Sequence, residues 1–477
     1  MRAHVISRNF AILSAGQVVS RLFAFAITIH LTRSLQAEGF GIIVFATSVL
    51  AYAALIVDCG FNAFGPIEVA RIRPDVSHLV RNVVGLRLLL TLAAFGALAL
   101  FVWLVPLDRI TAAILLMYGF SLVISAVQLE WVFSGLENMR LVAISEIVDQ
   151  AILAAGVFAL VHHPEQVVRV PLIYLLAKLG AAVFLIAAFR RQVGSFRPAF
   201  DWKQIRRVIP GALPFAGTTV VSMFSHNFDI VLVGLTLGTA AAGVYGAAYR
   251  VIWVPTVLIT AYHVALRPSL ARGYLLGLES VSGLLKRSMR LSTAFAVGVV
   301  VGGFLLADEI ILFLFGTTYA AAALPFRVLL ISFALLVFSR KYRLILTCFN
   351  RQLVDLRIMA LTAMLNVAGN FLLIPRYGLL GAALATLISE LAILLLTYAL
   401  TRVLIGHVPL GRFLLKPFLC SLVMAAVIVL TPSLHVLARI LMAGSAYVVF
   451  LFLLKVVSRN EIEVVLAALK PGTVIHD

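Results

Sequence analysis

Residues 10–32, FAILSAGQVVSRLFAFAITIHLT, run for 23 residues with a single ion, Arg21. A bilayer's hydrocarbon core takes about 20 apolar residues of helix to cross, so this stretch alone is long enough for one span. It follows Arg2 and Arg8, outruns the apolar part of a cleaved signal and ends in TRSLQ, with no small-residue cleavage site. It reads as a retained first span.

Working outward, 13 further runs of the same kind follow, at 40–64, 80–104, 110–133, 142–162, 168–189, 208–236, 240–264, 291–315, 327–349, 356–375, 378–400, 413–431 and 435–457. They are continuous rather than alternating, which implies helices and excludes barrel strands. The whole chain agrees: of 477 residues, 62% are hydrophobic and 12% charged, against about 25% charged in a soluble domain. The expected fold class is all-α, a polytopic membrane protein of about 14 helices. The longest polar gaps, 190–207 and 267–290, are too short to bury a core of their own, which argues against a soluble enzyme on an anchor.

The basic residues set an orientation. With the N-terminus cytoplasmic, 25 of the 38 fall in inner segments, 6 in outer loops and 7 within spans. Short loops so biased follow the positive-inside rule, and both termini are expected in the cytoplasm. The net charge of +18 is spread over many inner segments instead of one face, so anionic lipid heads explain it better than nucleic acid. Cys59, Cys348 and Cys420 show neither a disulfide framework nor zinc spacing.

Two strings repeat. RSLQAEGFGIIVFATSV (33–49) resembles LTLGTAAAGVYGAAYRV (235–251), and LENMRLVA (136–143) more loosely resembles FNRQLVDL (349–356). Six spans separate each pair, which implies parallel repeats. The expected organisation is a six-helix bundle over 1–190, a basic linker over 191–207, a second bundle over 208–404, and two extra helices with a tail over 405–477.

Seven basic residues lie within spans. Five are at least eight residues from an expected end: Arg21, Lys178, Arg250, Arg340 and Lys341; only Glu390 matches them among the acids. At roughly 2.5 to 3.5 kcal/mol for each basic residue at a helix centre, five facing lipid would cost on the order of 12 to 17 kcal/mol. That rivals the whole stability of a typical protein. They are expected to face a wet interior, and a cationic cavity suits an anionic ligand. The competing reading pairs Arg21 with Asp58, Arg250 with Asp229, and Lys178 with Glu146 or Asp149. In RKYR, Arg340 and Arg343 share a helical face while Lys341 turns about 100° away.

Asp58 can equally cap a helix end. His226 and Asp229, three apart, form either a proton relay or a packing pair. Span seven opens with VIPGALPFAG, where Pro210 and Pro214 each remove a helical hydrogen bond; Pro255 does so in span eight. These three positions are candidate hinges. No GxSxG, HExxH or P-loop occurs, and neither catalysis nor a cofactor is expected.

Taken together, RSLQAEGFG and VDCGFNAFG around span two, PFAGTTVVSMFSHNFDIVLVGLTLGTAAAGVYGAAYRV across spans seven and eight, LFGTTYAAAALPFRVLL after span nine, and LIPRYGLLGAALATLISE between spans eleven and twelve carry a resemblance over nearly the whole length. The chain resembles the Wzx-type oligosaccharide flippases, in the polysaccharide transporter branch of the multidrug/oligosaccharidyl-lipid/polysaccharide superfamily. The resemblance implies a multi-pass carrier in a bacterial inner membrane. Its cargo would be an anionic, undecaprenyl-pyrophosphate-linked oligosaccharide for O-antigen, capsule or exopolysaccharide. Its partners would be membrane lipids and a polysaccharide polymerase or other biosynthesis proteins. It places cavity cations at Arg21 and Arg250. A peptidoglycan-precursor flippase shares a basic cavity and stays open as an alternative. A MATE-type drug/cation antiporter, which wants deep acids, and a non-transporting scaffold, which needs no polar lumen, fit less well.

Overall fold

Apolar runs in a bilayer must satisfy their own backbone, and the α-helix does so within one segment. The computed structural model describes residues 2–72, 75–406 and 411–457. Among them every regular element is helical: α1 (Arg2–Asp58), α2 (Phe61–Arg71), α3 (Val76–Leu104), α4 (Arg109–Gly119), α5 (Ser121–Ala126), α6 (Glu130–Gly135), α7 (Met139–Leu160), α8 (Arg169–Gln192), α9 (Trp202–Leu237), α10 (Thr239–Leu276), α11 (Leu278–Leu305), α12 (Ala307–Phe315), α13 (Ala323–Cys348), α14 (Gln352–Tyr377), α15 (Leu379–Ile405), α16 (Gly411–Leu430) and α17 (Val436–Leu453), with short 3-10 turns before α8 and α13. Thirteen stretches among the described residues are long and apolar enough to cross a membrane. The first, Gly16–Arg71, is 56 residues long and is broken by a kink at Gln36, whose φ of 57° interrupts α1. It therefore holds the first two expected spans, and the expected 14 are accounted for.

The described chain divides into two compact units, Met1–Gly243 and Val244–Asp477. In the first, α1 packs on α7 and α9, and α7 on α8. Its core gathers Phe61, Val80, Val84, Trp131, Phe133 and Phe189. The sequence reading opened a second bundle at 208; by contacts α9 lies in the first unit, because Gly60 rests on the Ala212 carbonyl and Gly234 under Phe45. In the second unit, α15 packs on both α13 and α14, and α11 on α13 and α16. The last two helices close a separate core of Met424, Ile428, Ala443 and Tyr447, where the Tyr447 hydroxyl donates to Ala294 O at 2.7 Å.

The expected polar gap at 267–290 is helical instead. α10 continues to Leu276 and α11 begins at Leu278, with only Gly277 (φ 112°) between them. Helices α9 and α10 run unbroken through Pro210, Pro214 and Pro255.

Candidate functional site

In the first unit, Gly16 lets α1 approach α7 so closely that a Cβ there would sit 2.6 Å from Ala143 Cβ. The approach puts Arg21 on the same side as Gln17 and Glu146, within electrostatic range of that carboxylate. Arg21 itself is exposed. On α7, Ser145, Glu146 and Asp149 lie at helical spacing; Ser145 Oγ donates to Glu130 Oε1 of α6 at 3.5 Å. From α8, Lys178 Nζ donates to Asp149 Oδ2 at 2.8 Å and lies 5.5 Å from the Tyr174 ring centre. Arg21 and Lys178 thus share their neighbourhood with three carboxylates, those of Glu130, Glu146 and Asp149. Lys178 takes the Asp149 partner that the competing reading offered it.

Asp58 does not pair with Arg21. Its Oδ1 accepts from Arg87 Nη2 at 2.7 Å and from Asn62 N at 3.0 Å, so it ties α1 to α3 and caps the turn into α2. Arg87, only 1% exposed, also donates to Asn62 Oδ1 at 3.0 Å and lies over the rings of Phe61 and Trp131. Asp229 is buried, with Oδ1 accepting from Ile230 N at 2.8 Å, and its charge acts on Tyr52 of α1. The His226 side chain lies outside the described residues.

In the second unit the three cations of RKYR diverge. Arg340 donates to Thr260 Oγ1 of α10 and feels the charge of Glu390 on α15. Arg343 forks onto Asp355 of α14, Nε to Oδ1 at 2.7 Å and Nη2 to Oδ2 at 2.9 Å. Lys341, fully buried, donates to Ser288 Oγ of α11 at 2.5 Å and lies 5.0 Å from the Tyr262 ring centre. Beside it sits His263, 7% exposed, with no partner for either ring nitrogen among the described residues. Arg250 is half-buried on α10.

The expectation that deep cations mostly lack acids is therefore corrected. Lys178 and Arg343 are committed to carboxylates, Arg21 and Arg340 lie near Glu146 and Glu390, and Lys341 is sealed from solvent. The reason is reach: Glu146, Asp149 and Asp355 stand near or beyond span ends in the sequence, yet neighbouring helices bring them inward. His263, Ser288, Glu130 and Asp355 were missed as site residues. The sequence signal available was only that each is a polar residue in or beside an apolar run.

Residues 6–273 match the family described as "Polysaccharide biosynthesis protein". A relative in Escherichia coli (strain K12), described as "Putative O-antigen transporter", is 24% identical over 247 residues, spanning 51% of this chain and 59% of that protein. Among solved structures, "Lipid II flippase MurJ, inward closed conformation" is similar with a TM-score of 0.75 and 14% identity, over 92% of this chain and 97% of that one. An inward-facing multidrug resistance MATE family transporter of the MOP superfamily follows at 0.67 and 13%, over 84% and 98%. At such identities the likeness speaks for the fold, which is the one these carriers share. The sequence match covers more than half of the chain, from α1 through most of α10, and the chain belongs to the polysaccharide biosynthesis protein family.

Proposed function

We propose that this protein flips a lipid-linked oligosaccharide, carried on undecaprenyl pyrophosphate, from the cytoplasmic to the outer leaflet of a bacterial inner membrane. The product would feed surface polysaccharide synthesis beside a polymerase. The lipid tail stays in the bilayer, so the protein need only shelter pyrophosphate and sugars; no bond is made or broken. The observation that carries the reading is Arg21. An arginine midway along a 23-residue apolar run costs roughly 2.5 to 3.5 kcal/mol facing lipid. Here it is exposed on the side that also bears Gln17 and Glu146, which favours a wet lumen. Family membership and the relative's description support the same cargo class.

Arg21 and Arg250 are the proposed pyrophosphate ligands, because a guanidinium meets phosphate oxygens with a two-pronged fork. Pro210, Pro214 and Pro255 are the proposed bending points of an alternating-access cycle. The test is complementation. In a transporter-null host, Arg21→Ala and Arg250→Ala proteins at normal levels should fail to restore surface polysaccharide, with Arg→Lys giving partial rescue. Full restoration by both alanine variants would remove these ligands from the reading.

A further inference from the structure

Between α8 and α9 the chain crosses residues 193–201 without a helix, and this strap is pinned to α3. Ala199 N donates to Arg81 O at 3.0 Å, Arg81 Nε donates to Arg197 O at 3.0 Å, and Asp201 N donates to Asn82 Oδ1 at 2.7 Å. Just beyond the strap, Gln204 Oε1 meets His78 Nδ1 at 2.6 Å and accepts from Asn82 Nδ2 at 3.2 Å. A Cβ on Gly85 would lie 2.0 Å from Ala199 O, so the strap's backbone rests directly on the helix. Side chains on so fixed a segment are presented, not trailing.

What they present is specific. Phe200 and Trp202 stack with ring centres 6.2 Å apart and planes 15° from parallel, yet are 53% and 57% exposed. Arg190, Arg191, Arg197, Lys203, Arg206 and Arg207 are all exposed around them. Residues 190–207 hold one acid, Asp201, whose carboxylate is turned onto Lys203 N at 2.9 Å. The segment joins the ends of two membrane-length helices, which sets it at headgroup depth. Trp and other rings favour that depth, half apolar and half wet. Clustered Lys and Arg there are drawn to anionic lipid, each charge being worth about a fivefold gain in binding. A single-stranded nucleic acid would want rings splayed for its bases; these two cover each other.

We propose that the 190–207 segment is a docking site for anionic phospholipid headgroups, with Phe200 and Trp202 seated among the upper acyl carbons and the six cations on the phosphates. The full chain in phosphatidylcholine nanodiscs, doped with brominated phosphatidylglycerol or with brominated phosphatidylcholine, tests this. The readout is the part of the tryptophan emission that disappears in Trp202→Phe. It should be quenched more by the anionic lipid. That excess should fall by at least about tenfold in an Arg190→Gln, Arg191→Gln, Arg206→Gln, Arg207→Gln protein of unchanged helicity and melting temperature, and shrink at high salt. Equal quenching by both lipids, or none by either, overturns the proposal. Loss of the excess on adding free pyrophosphate also overturns it, since the site would then serve a soluble phosphate.

Discussion

Two buried cations, Arg87 and Lys341, look alike in composition and differ in what their removal leaves behind. Arg87 neutralises Asp58 at 2.7 Å, so Arg87→Met strands a carboxylate, and breaking such a pair costs about 3 to 5 kcal/mol. Lys341 has a hydroxyl for its partner, and Lys341→Met strands only Ser288. Replacing a buried charge by a hydrophobe of similar volume is often neutral or stabilising. Thermal unfolding in detergent should show a large drop for Arg87→Met, partly recovered by adding Asp58→Leu, and no drop or a rise for Lys341→Met. A matching loss in both single variants would sink the distinction. The ions themselves were readable in the sequence, and Asp149 was among the partners open to Lys178; the Arg87–Asp58 pair was not readable. Asp58 and Arg87 stand 29 positions apart, as do Asp149 and Lys178, and such partners are fixed only when helices pack. Arg87, another of the seven basic residues within spans, lies close to the start expected at 80, whereas α3 begins at Val76 and carries it about three turns inside.

At the scale of elements, hydropathy located the helices well and their ends badly. The apolar slab fixes where a span must be, but helices run on past it with polar faces, as α10 and α11 do across 267–290. The glycines carried more than composition shows. The two resembling strings, 33–49 and 235–251, meet where Gly41 abuts the start of α10: a Cβ on Gly41 would lie 1.8 Å from Thr239 O, and one on Gly243 2.3 Å from Ala37 O. Gly41→Ala should therefore force that seam apart and lower both yield and melting temperature. Gly96, inside α3 with nothing within 4 Å of its Cβ position, is the control. There alanine removes a helix-breaking residue and should stabilise by up to about 1 kcal/mol. Equal tolerance at both positions would mean the close approach is not what holds α1 against residues 239–243.

For the whole molecule, an even number of crossings returns the chain to the face it left, and charge decides which face that is. Among the described residues, thirteen membrane-length stretches, the first interrupted at Gln36, correspond to the 14 expected crossings. Counted along the sequence, 25 of the basic residues outside spans fall to one side and 6 to the other, and the positive-inside rule predicts that the richer side is the cytoplasmic one. The 190–207 segment joins the richer side. The turn between α7 and α8, with His162 and Glu165, joins the poorer one. A fluorescent protein fused after Asp477 should therefore glow, since it folds in the cytoplasm, and alkaline phosphatase inserted at Glu165 should be active, since it needs an oxidising compartment. Insertion of the phosphatase at Ser195 should leave it inactive. The opposite pattern would invert the protein, set the basic segment in the outer leaflet, and run against the direction of flipping proposed above. Orientation is thus what the proposed direction of flipping depends on, and it can be measured without knowing the proposed cargo.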